Sequence, residues 1–238
     1  MGGLLTTKKV PAWHSGPEWA AFLGMYDERA ATELPAGFAS QLIQTTAGQT
    51  FVWTGGRADG PPVVFFHGAR GSSLSWAGVL LVAESLRSER RVILVDYICD
   101  AGRSVPQASL KTAEEHAGWA RELWGHLGIE RGADVVGYSY GSLVAAMVAS
   151  RAPELIAGKR VVLCSPAAVF APLTWRFLSI VLAPEILRGS LGYTHDWKWN
   201  AQSSASWDYA SRAAPVTRRF NLAVEALTME HDLGKGCL

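Results

Sequence analysis

A serine between two glycines constrains the fold of this chain more than any other feature of its sequence. Residues 137–141 read Gly-Tyr-Ser-Tyr-Gly, the G-x-S-x-G pattern of a serine held on a sharp turn between a strand and a helix. Residues 133–136 before it predict a short buried strand, and residues 142–149 after it predict a helix rich in small residues. Such a turn raises the serine hydroxyl above a sheet, where a substrate can reach it.

Composition sets the size and the class of the protein. The 238 residues, of which 49% are hydrophobic and 18% charged, suit one large α/β domain with a substantial core. A net charge of +1 gives no reason to expect a nucleic acid or an acidic polymer as partner. The three cysteines are far apart and form no Cys/His cluster, so neither a disulfide framework nor a metal site is expected. Without a signal peptide or a membrane-length apolar stretch, a cytoplasmic location is expected.

The first region, residues 1–38, predicts a helical leader. Trp19, Phe22, Leu23 and Tyr26 recur there at helical spacing and indicate an apolar stripe.

The second region, residues 39–168, predicts the core, because strands and helices alternate along it. A hairpin and four further strands are expected at residues 41–46, 50–54, 63–66, 91–95, 133–137 and 159–165. The core strands are continuous apolar runs, which is typical of strands covered on both faces. This alternation predicts a mostly parallel, doubly wound sheet with helices on both faces.

Two helices of the core carry clear signals. A stripe of period 3.6 predicts one helix, with its apolar residues at Trp76, Val79, Leu80, Ala83 and Leu86. Thr112 and Glu115 have the spacing of a capping box, which opens a helix through Leu127.

The third region, residues 169–238, predicts a helical cap over the serine. It shows no convincing buried strand and is rich in tryptophan, at Trp175, Trp197, Trp199 and Trp207. These aromatic residues either line a substrate site or only fill the core of the cap.

The serine turn and its neighbouring loops supply parts of a nucleophilic site. Ser139 is the candidate nucleophile, and a serine hydroxyl needs a base, a group that orients the base, and donors for the oxyanion. We expect one donor in the backbone N–H of Tyr140 and the other in that of Ala69, within the loop after the first core strand. His67 is expected to brace that loop rather than act as the base, and Asp96 to tie down its own loop.

Four motifs, in their order and spacing, carry a resemblance to a known family. They are Phe65-Phe66-His67-Gly68, Val95-Asp96 with Asp100-Ala101-Gly102-Arg103-Ser104, the turn at 137–141, and Leu163-Cys164-Ser165-Pro166-Ala167. Over about residues 40–170 the chain resembles the α/β-hydrolase fold family, and within it the bacterial carboxylesterase branch. Serine at the turn, where dehalogenases and epoxide hydrolases have aspartate, implies ester-type acyl transfer without a metal or an organic cofactor. Cys99 departs from this branch, which usually has glycine there.

The end of the chain departs further from the family pattern. The family places the acid and the histidine after the serine, on loops that follow two further strands. After Ser139 this chain offers only His195 and His231 as candidate bases, and neither follows a recognisable buried strand. We therefore expect the last two core strands, with the acid and the base, to be missing from a truncated chain.

Two functional hypotheses remain open. The first is a serine hydrolase acting on small, largely apolar carboxylic esters; thioesterases, acyltransferases and peptidases share its acyl-serine intermediate. The second is a catalytically impaired hydrolase-like protein or fragment that at most binds an apolar ligand. Without two terminal strands, the strand at 159–165 would form an exposed apolar sheet edge, through which we expect self-association.

Overall fold

The computed structural model describes residues 17–69, 71–100, 102–170 and 172, which form a seven-stranded sheet flanked by helices. The strands are β1 (Ala39–Thr45), β2 (Gly48–Gly56), β3 (Pro62–Phe66), β4 (Arg91–Val95), β5 (Val105–Pro106), β6 (Asp134–Tyr138) and β7 (Val161–Cys164). The helices are α1 (Pro17–Glu33), α2 (Ala77–Val82), α3 (Glu84–Glu89), α4 (Ala113–His126) and α5 (Tyr140–Arg151), with short 3-10 helices at Ser73–Trp76 and Pro153–Leu155.

The sheet is mostly parallel, as the alternation of strands and helices predicts. Its strands lie in the order β1-β2-β4-β3-β6-β7, and β5 pairs with β2. Strands β4, β3, β6 and β7 are parallel, whereas β1 and β2 form an antiparallel hairpin that pairs with β4. Phe66 lies opposite Val95 and Gly137, and Gly137 lies opposite Leu163. The four parallel strands therefore end together, at what we call the carboxyl edge of the sheet.

The central strands are buried on both faces, which explains their continuous apolar sequences. On β3, Val64 and Phe66 join a cluster with residues of α4 and α5, whereas Val63 and Phe65 join a cluster with residues of α2 and α3. The ring centroid of Phe66 lies 5.8 Å from that of Trp119 on α4. Full burial of side chains of this size stabilises a fold by about 1.5–3 kcal/mol each, so β3 anchors both helical layers.

The apolar stripe that predicted one helix is buried, but its residues are divided between a short 3-10 helix and the two helices α2 and α3. It runs from the end of the Ser73–Trp76 turn through α2 and α3, with a break at Ala83, whose φ of −99° and ψ of 70° are not helical. No residue of the stripe is more than 7% exposed. The periodicity thus predicted the buried face correctly and missed the break, which leaves that face intact.

The capping box that the sequence predicts for α4 is confirmed. Thr112 Oγ1 accepts the N–H of Glu115 at 3.2 Å, and the Glu115 carboxylate accepts the N–H of Thr112 at 2.9 Å. The backbone N–H of Lys111, which donates to the Glu115 carboxylate at 2.5 Å, and then that of Thr112 hold the pKa of Glu115 below its ordinary value, because both bonds favour the charged carboxylate. The helix ends at His126, one residue before the predicted end.

Helix α1, within the predicted leader, packs on the sheet through Tyr26. The Tyr26 hydroxyl lies 2.9 Å from Ser73 Oγ and accepts the indole N–H of Trp53 at 3.1 Å. Its ring meets Phe51 edge to face, with 5.9 Å between centroids. Residues 1–16 of the leader, and the predicted cap from residue 173 onwards, lie outside the described residues. No helix in the described ranges has both the length and the apolar character required to cross a bilayer.

Candidate active site

Ser139 occupies the turn between β6 and α5 in a strained backbone conformation. Its φ of 52° and ψ of −114° lie in a region that residues with a side chain rarely adopt. Its N–H donates to the carbonyl of Cys164 at 2.9 Å, and its carbonyl accepts from Ser142 N at 3.0 Å and Ala167 N at 3.3 Å. Contacts with β7, the segment after it and α5 therefore maintain the strain.

The two glycines of the motif allow this sharp turn. A Cβ atom on Gly137 would collide with the carbonyl of Gly141, and one on Gly141 would collide with the carbonyl of Phe66. Ser142 closes the turn from inside, where its Oγ donates to Gly137 O at 2.8 Å. Both glycines are thus required by close backbone approach, as the motif predicts.

The loop after β3 passes beside Ser139. A Cβ on Gly68 would lie 3.3 Å from the Cβ of Ser139 and 3.0 Å from Tyr138 Cδ1. The next residue, Ala69, is exposed in a turn that the Gly71 N–H closes on Gly68 O at 3.1 Å. Tyr140 is the first residue of α5, where backbone N–H groups have no partner within the helix. The two predicted oxyanion donors thus belong to segments that flank Ser139.

His67 makes bracing contacts of the kind expected from the sequence. Its Nδ1 lies 2.8 Å from the carbonyl of Gly68, which can only accept, so Nδ1 carries the proton. Its Nε2 accepts the backbone N–H of Tyr97 at 3.0 Å. Since the ring is 1% exposed and both nitrogens are engaged, His67 is not available as the base.

Asp96 organises two loops at the carboxyl edge. Its carboxylate, fully buried at the end of β4, accepts the N–H of Ser73 and the N–H of Arg103, each at 2.7 Å. Gly102 packs so closely that a Cβ there would lie 2.6 Å from the Asp96 carboxyl carbon. Asp96 thus ties its own loop, as expected, and also the turn that leads into α2.

A buried tyrosine–histidine pair at the carboxyl edge was not predicted from the sequence. Tyr97 and His116 are each 2% exposed, and the Tyr97 hydroxyl lies 2.7 Å from His116 Nε2. Burial lowers the pKa of His116 and raises that of Tyr97, because both charged forms lose water. The available signal was the position of Tyr97 two residues after a strand end and that of His116 one turn into a capped helix.

The two candidate bases, His195 and His231, lie outside the described residues. The described histidines buried at the carboxyl edge, His67 and His116, use both ring nitrogens in hydrogen bonds. The identity of the base therefore stays a prediction.

Known proteins share this architecture. An uncharacterized carboxylesterase (nap) of Bacillus subtilis is 31% identical over 169 residues, which cover 71% of this chain and 54% of that protein. Carboxylesterase YbfK of the same organism is also 31% identical, over 54% of this chain and 41% of its own length. The chain therefore spans about half the length of the curated relatives it matches.

Solved structures agree with the sequence matches. The naproxen esterase (carboxylesterase NP) of B. subtilis is 27% identical, with a TM-score of 0.65 over 87% of this chain and 66% of that one. Carboxylesterase CesB (YbfK) gives 28% identity and a TM-score of 0.63 over 74% and 59%. A family model described as the alpha/beta hydrolase fold matches residues 61–204, more than half of the sequence. The chain belongs to the α/β-hydrolase fold family.

Proposed function

We propose that this chain acts as a serine hydrolase on small, largely apolar carboxylic esters, through an acyl-serine intermediate. The observation that carries the proposal is the strained conformation of Ser139, with the loop of Gly68 packed against its side chain. Strain at a turn flanked by two obligatory glycines is typical of a functional residue. The carboxylesterase names of the relatives support the substrate class.

The proposed reaction assigns each group one task. Ser139 Oγ attacks the ester carbonyl carbon while a base accepts its proton, and the resulting oxyanion is stabilised by the N–H groups of Ala69 and Tyr140. The C–O bond to the alcohol then breaks, and the alcohol leaves with the proton held by the base. Water repeats the sequence on the acyl-serine and releases the acid. We propose His231 or His195 as the base.

Labelling with a fluorophosphonate tests the nucleophile. We expect the probe to attach to Ser139, as located by peptide mass spectrometry, and Ser139→Ala to abolish labelling. Ser150→Ala is the matched control, because Ser150 is an exposed serine on α5 whose Oγ donates to Met147 O at 3.0 Å. Attachment elsewhere, or labelling that survives Ser139→Ala, would exclude Ser139 as the nucleophile.

The second candidate is a protein that binds an apolar ligand without turnover. It is favoured by one observation, that His67 and His116 have no ring nitrogen left for Ser139. Loss of the base costs on the order of 10⁶ in kcat in serine hydrolases. Hydrolysis of p-nitrophenyl acetate far above the rate of Ser139→Ala would exclude this candidate, and single alanine variants of His195 and His231 would then identify the base.

A further inference from the structure

The two proposed oxyanion donors come from segments that are distant in sequence. Ala69 follows β3, whereas Tyr140 begins α5. An oxyanion is stabilised only when both N–H groups point at the same position, at about 2.7–3.1 Å from the oxygen. Pairing of β3 with β6 sets the spacing of these two segments, and the direction of each N–H depends on the side chains that hold the loops.

Tyr97 contacts both segments. Its backbone N–H donates to Nε2 of His67 at 3.0 Å, and His67 lies in the same loop as Ala69, two residues before it. The ring of Tyr97 packs against the ring of Tyr140, with 5.7 Å between centroids and a 58° angle between planes. Tyr97, two residues after the end of β4, thus contacts one donor residue, Tyr140, directly and contacts His67, two residues before the other donor.

The contact through His67 determines the direction of the Ala69 N–H. Nδ1 of His67 donates to Gly68 O at 2.8 Å. The carbonyl of Gly68 and the N–H of Ala69 belong to the same peptide group, and in a planar trans peptide they point in opposite directions. Holding the carbonyl therefore aims the N–H.

Tyr97 is itself held firmly. Its hydroxyl donates to His116 Nε2 at 2.7 Å, and its ring stacks on that of His116 at 5.8 Å and 10°. Trp119 meets the ring edge-on at 5.7 Å and 79°. His116 is fixed in turn, since its Nδ1 donates to the carbonyl of Thr112 at 2.7 Å. The side chain of Tyr97 is thus anchored to α4.

We propose that Tyr97 is a positioning residue that holds the N–H groups of Ala69 and Tyr140 in register around one oxyanion. It acts on Ala69 through the His67 ring and on Tyr140 through direct ring packing. The inference rests on the proposed function, because only acyl transfer at Ser139 gives these two donors a common target. An oxyanion exists only in the transition state and the intermediate, so the loss of Tyr97 lowers kcat and leaves KM almost unchanged.

Two variants and one control test the inference. Tyr97→Phe removes the bond to His116 and keeps the ring, and Tyr97→Leu also removes the packing on Tyr140. We expect kcat for p-nitrophenyl acetate to fall about tenfold in the first and about 100-fold in the second, since misplacement by about 1 Å costs on the order of 10²-fold. Thr45→Val is the control, because it removes a buried hydroxyl bond of 2.8 Å to Gly48 O in the β1–β2 hairpin, outside the loops of Ala69 and Tyr140, and kcat should not change.

Amide hydrogen exchange gives a readout that needs no activity. Exchange should accelerate in both the 67–71 and the 138–143 peptides of Tyr97→Phe, and in neither peptide of Thr45→Val. If the wild-type chain neither hydrolyses esters nor reacts with fluorophosphonate, the proposed function fails, and the exchange result then shows only whether Tyr97 orders the two segments. Unchanged exchange in both peptides, a kcat within twofold of wild type in Tyr97→Phe, or an effect on KM alone would overturn the inference.

Discussion

The two edges of the parallel sheet use polar groups in different ways. At the edge where the strands begin, Arg90 and Asp134 form a salt bridge with side chains only 5% and 6% exposed. Arg90 Nε also donates to Pro61 O at 3.0 Å, and Asp134 Oδ1 accepts the N–H of Arg160 at 2.7 Å. Asp134 begins β6, and Pro61, Arg90 and Arg160 directly precede β3, β4 and β7. One ion pair with its backbone bonds therefore links the starts of all four parallel strands.

At the carboxyl edge, buried side chains bind the backbone of loops. Asp96 holds the N–H groups of Ser73 and Arg103, and His67 bridges Tyr97 and Gly68. The backbone is strained where the candidate nucleophile stands. One edge thus fixes how the strands align, and the other fixes the shape of the loops around the candidate nucleophile.

Ser139→Ala gives the largest expected effect and concerns function alone. Hydrolysis of p-nitrophenyl acetate should fall on the order of 10⁶-fold, because the nucleophile is removed. The free energy of unfolding should change by less than about 1 kcal/mol, because alanine keeps the Cβ and every backbone hydrogen bond of the turn. Kinetics and urea unfolding on the same preparation measure both. A fall of several kcal/mol in the free energy of unfolding of Ser139→Ala would contradict the view that the carboxyl edge serves function and the opposite edge serves stability.

Asp134→Ala tests the opposite edge. It leaves the Arg90 guanidinium buried without its partner, which typically costs about 3–5 kcal/mol. Urea unfolding measures this loss, while kcat of the protein that remains folded should match wild type. The control is Asp59→Ala, since the ion pair of Asp59 with Arg57 is exposed and should contribute nothing measurable. Equal stability of the two variants would show that the buried pair does not organise the strand starts.

Strand β7 tests how far the sheet is self-contained. Within the described residues it pairs only with β6, and all four of its residues are half-buried. Unpaired strand edges bind other strands, and each apolar side chain that loses its cover gives up about 1.5–3 kcal/mol. We therefore expect the purified 238-residue chain to self-associate in size-exclusion chromatography with light scattering. A monomer that melts cooperatively above about 60 °C would show that this edge is covered.

The buried His116 gives the smallest expected effect. Burial lowers its pKa below the ordinary value of 6.5, so the unfolded chain binds a proton more readily than the folded one. The stability that the neutral, buried His116 contributes is fully present above pH 6.5. It is lost as the pH falls through 6.5 towards the lower pKa of the folded state. The slope is at most about 1.4 kcal/mol per pH unit for one proton. Urea unfolding at pH 7.5 and 5.5 should show this loss, and His116→Gln should reduce it; an unchanged slope would point to another group.

Local chemistry made much of the fold predictable. The capping box of Thr112 and Glu115 acts over three residues, and both partners are visible in the sequence. The glycines at 137 and 141 are required by their own turn, and the central strands are recognisable because both of their faces are buried.

The missed features depend on contacts between distant residues. Nothing near Tyr97 in the sequence indicates His116, which lies 19 residues away and meets it only when α4 packs on the sheet. The break at Ala83 leaves the apolar periodicity intact, so the pattern could not predict it. The bond from the Ser73 N–H to the Asp96 carboxylate likewise forms only when β3 and β4 are paired.

The hydrogen bonds of Ser139 have a consequence for the order of folding. Its N–H is bound by the carbonyl of Cys164, and its carbonyl accepts the N–H of Ala167, so residues 137–141 do not secure the turn alone. Domains emerge from the ribosome with their amino-terminal parts first, at about 5–20 residues per second. The strained serine gains its full support only after residue 167 has been synthesised and β7 has paired with β6. Most of the described sheet is therefore synthesised before the residues that support the candidate nucleophile.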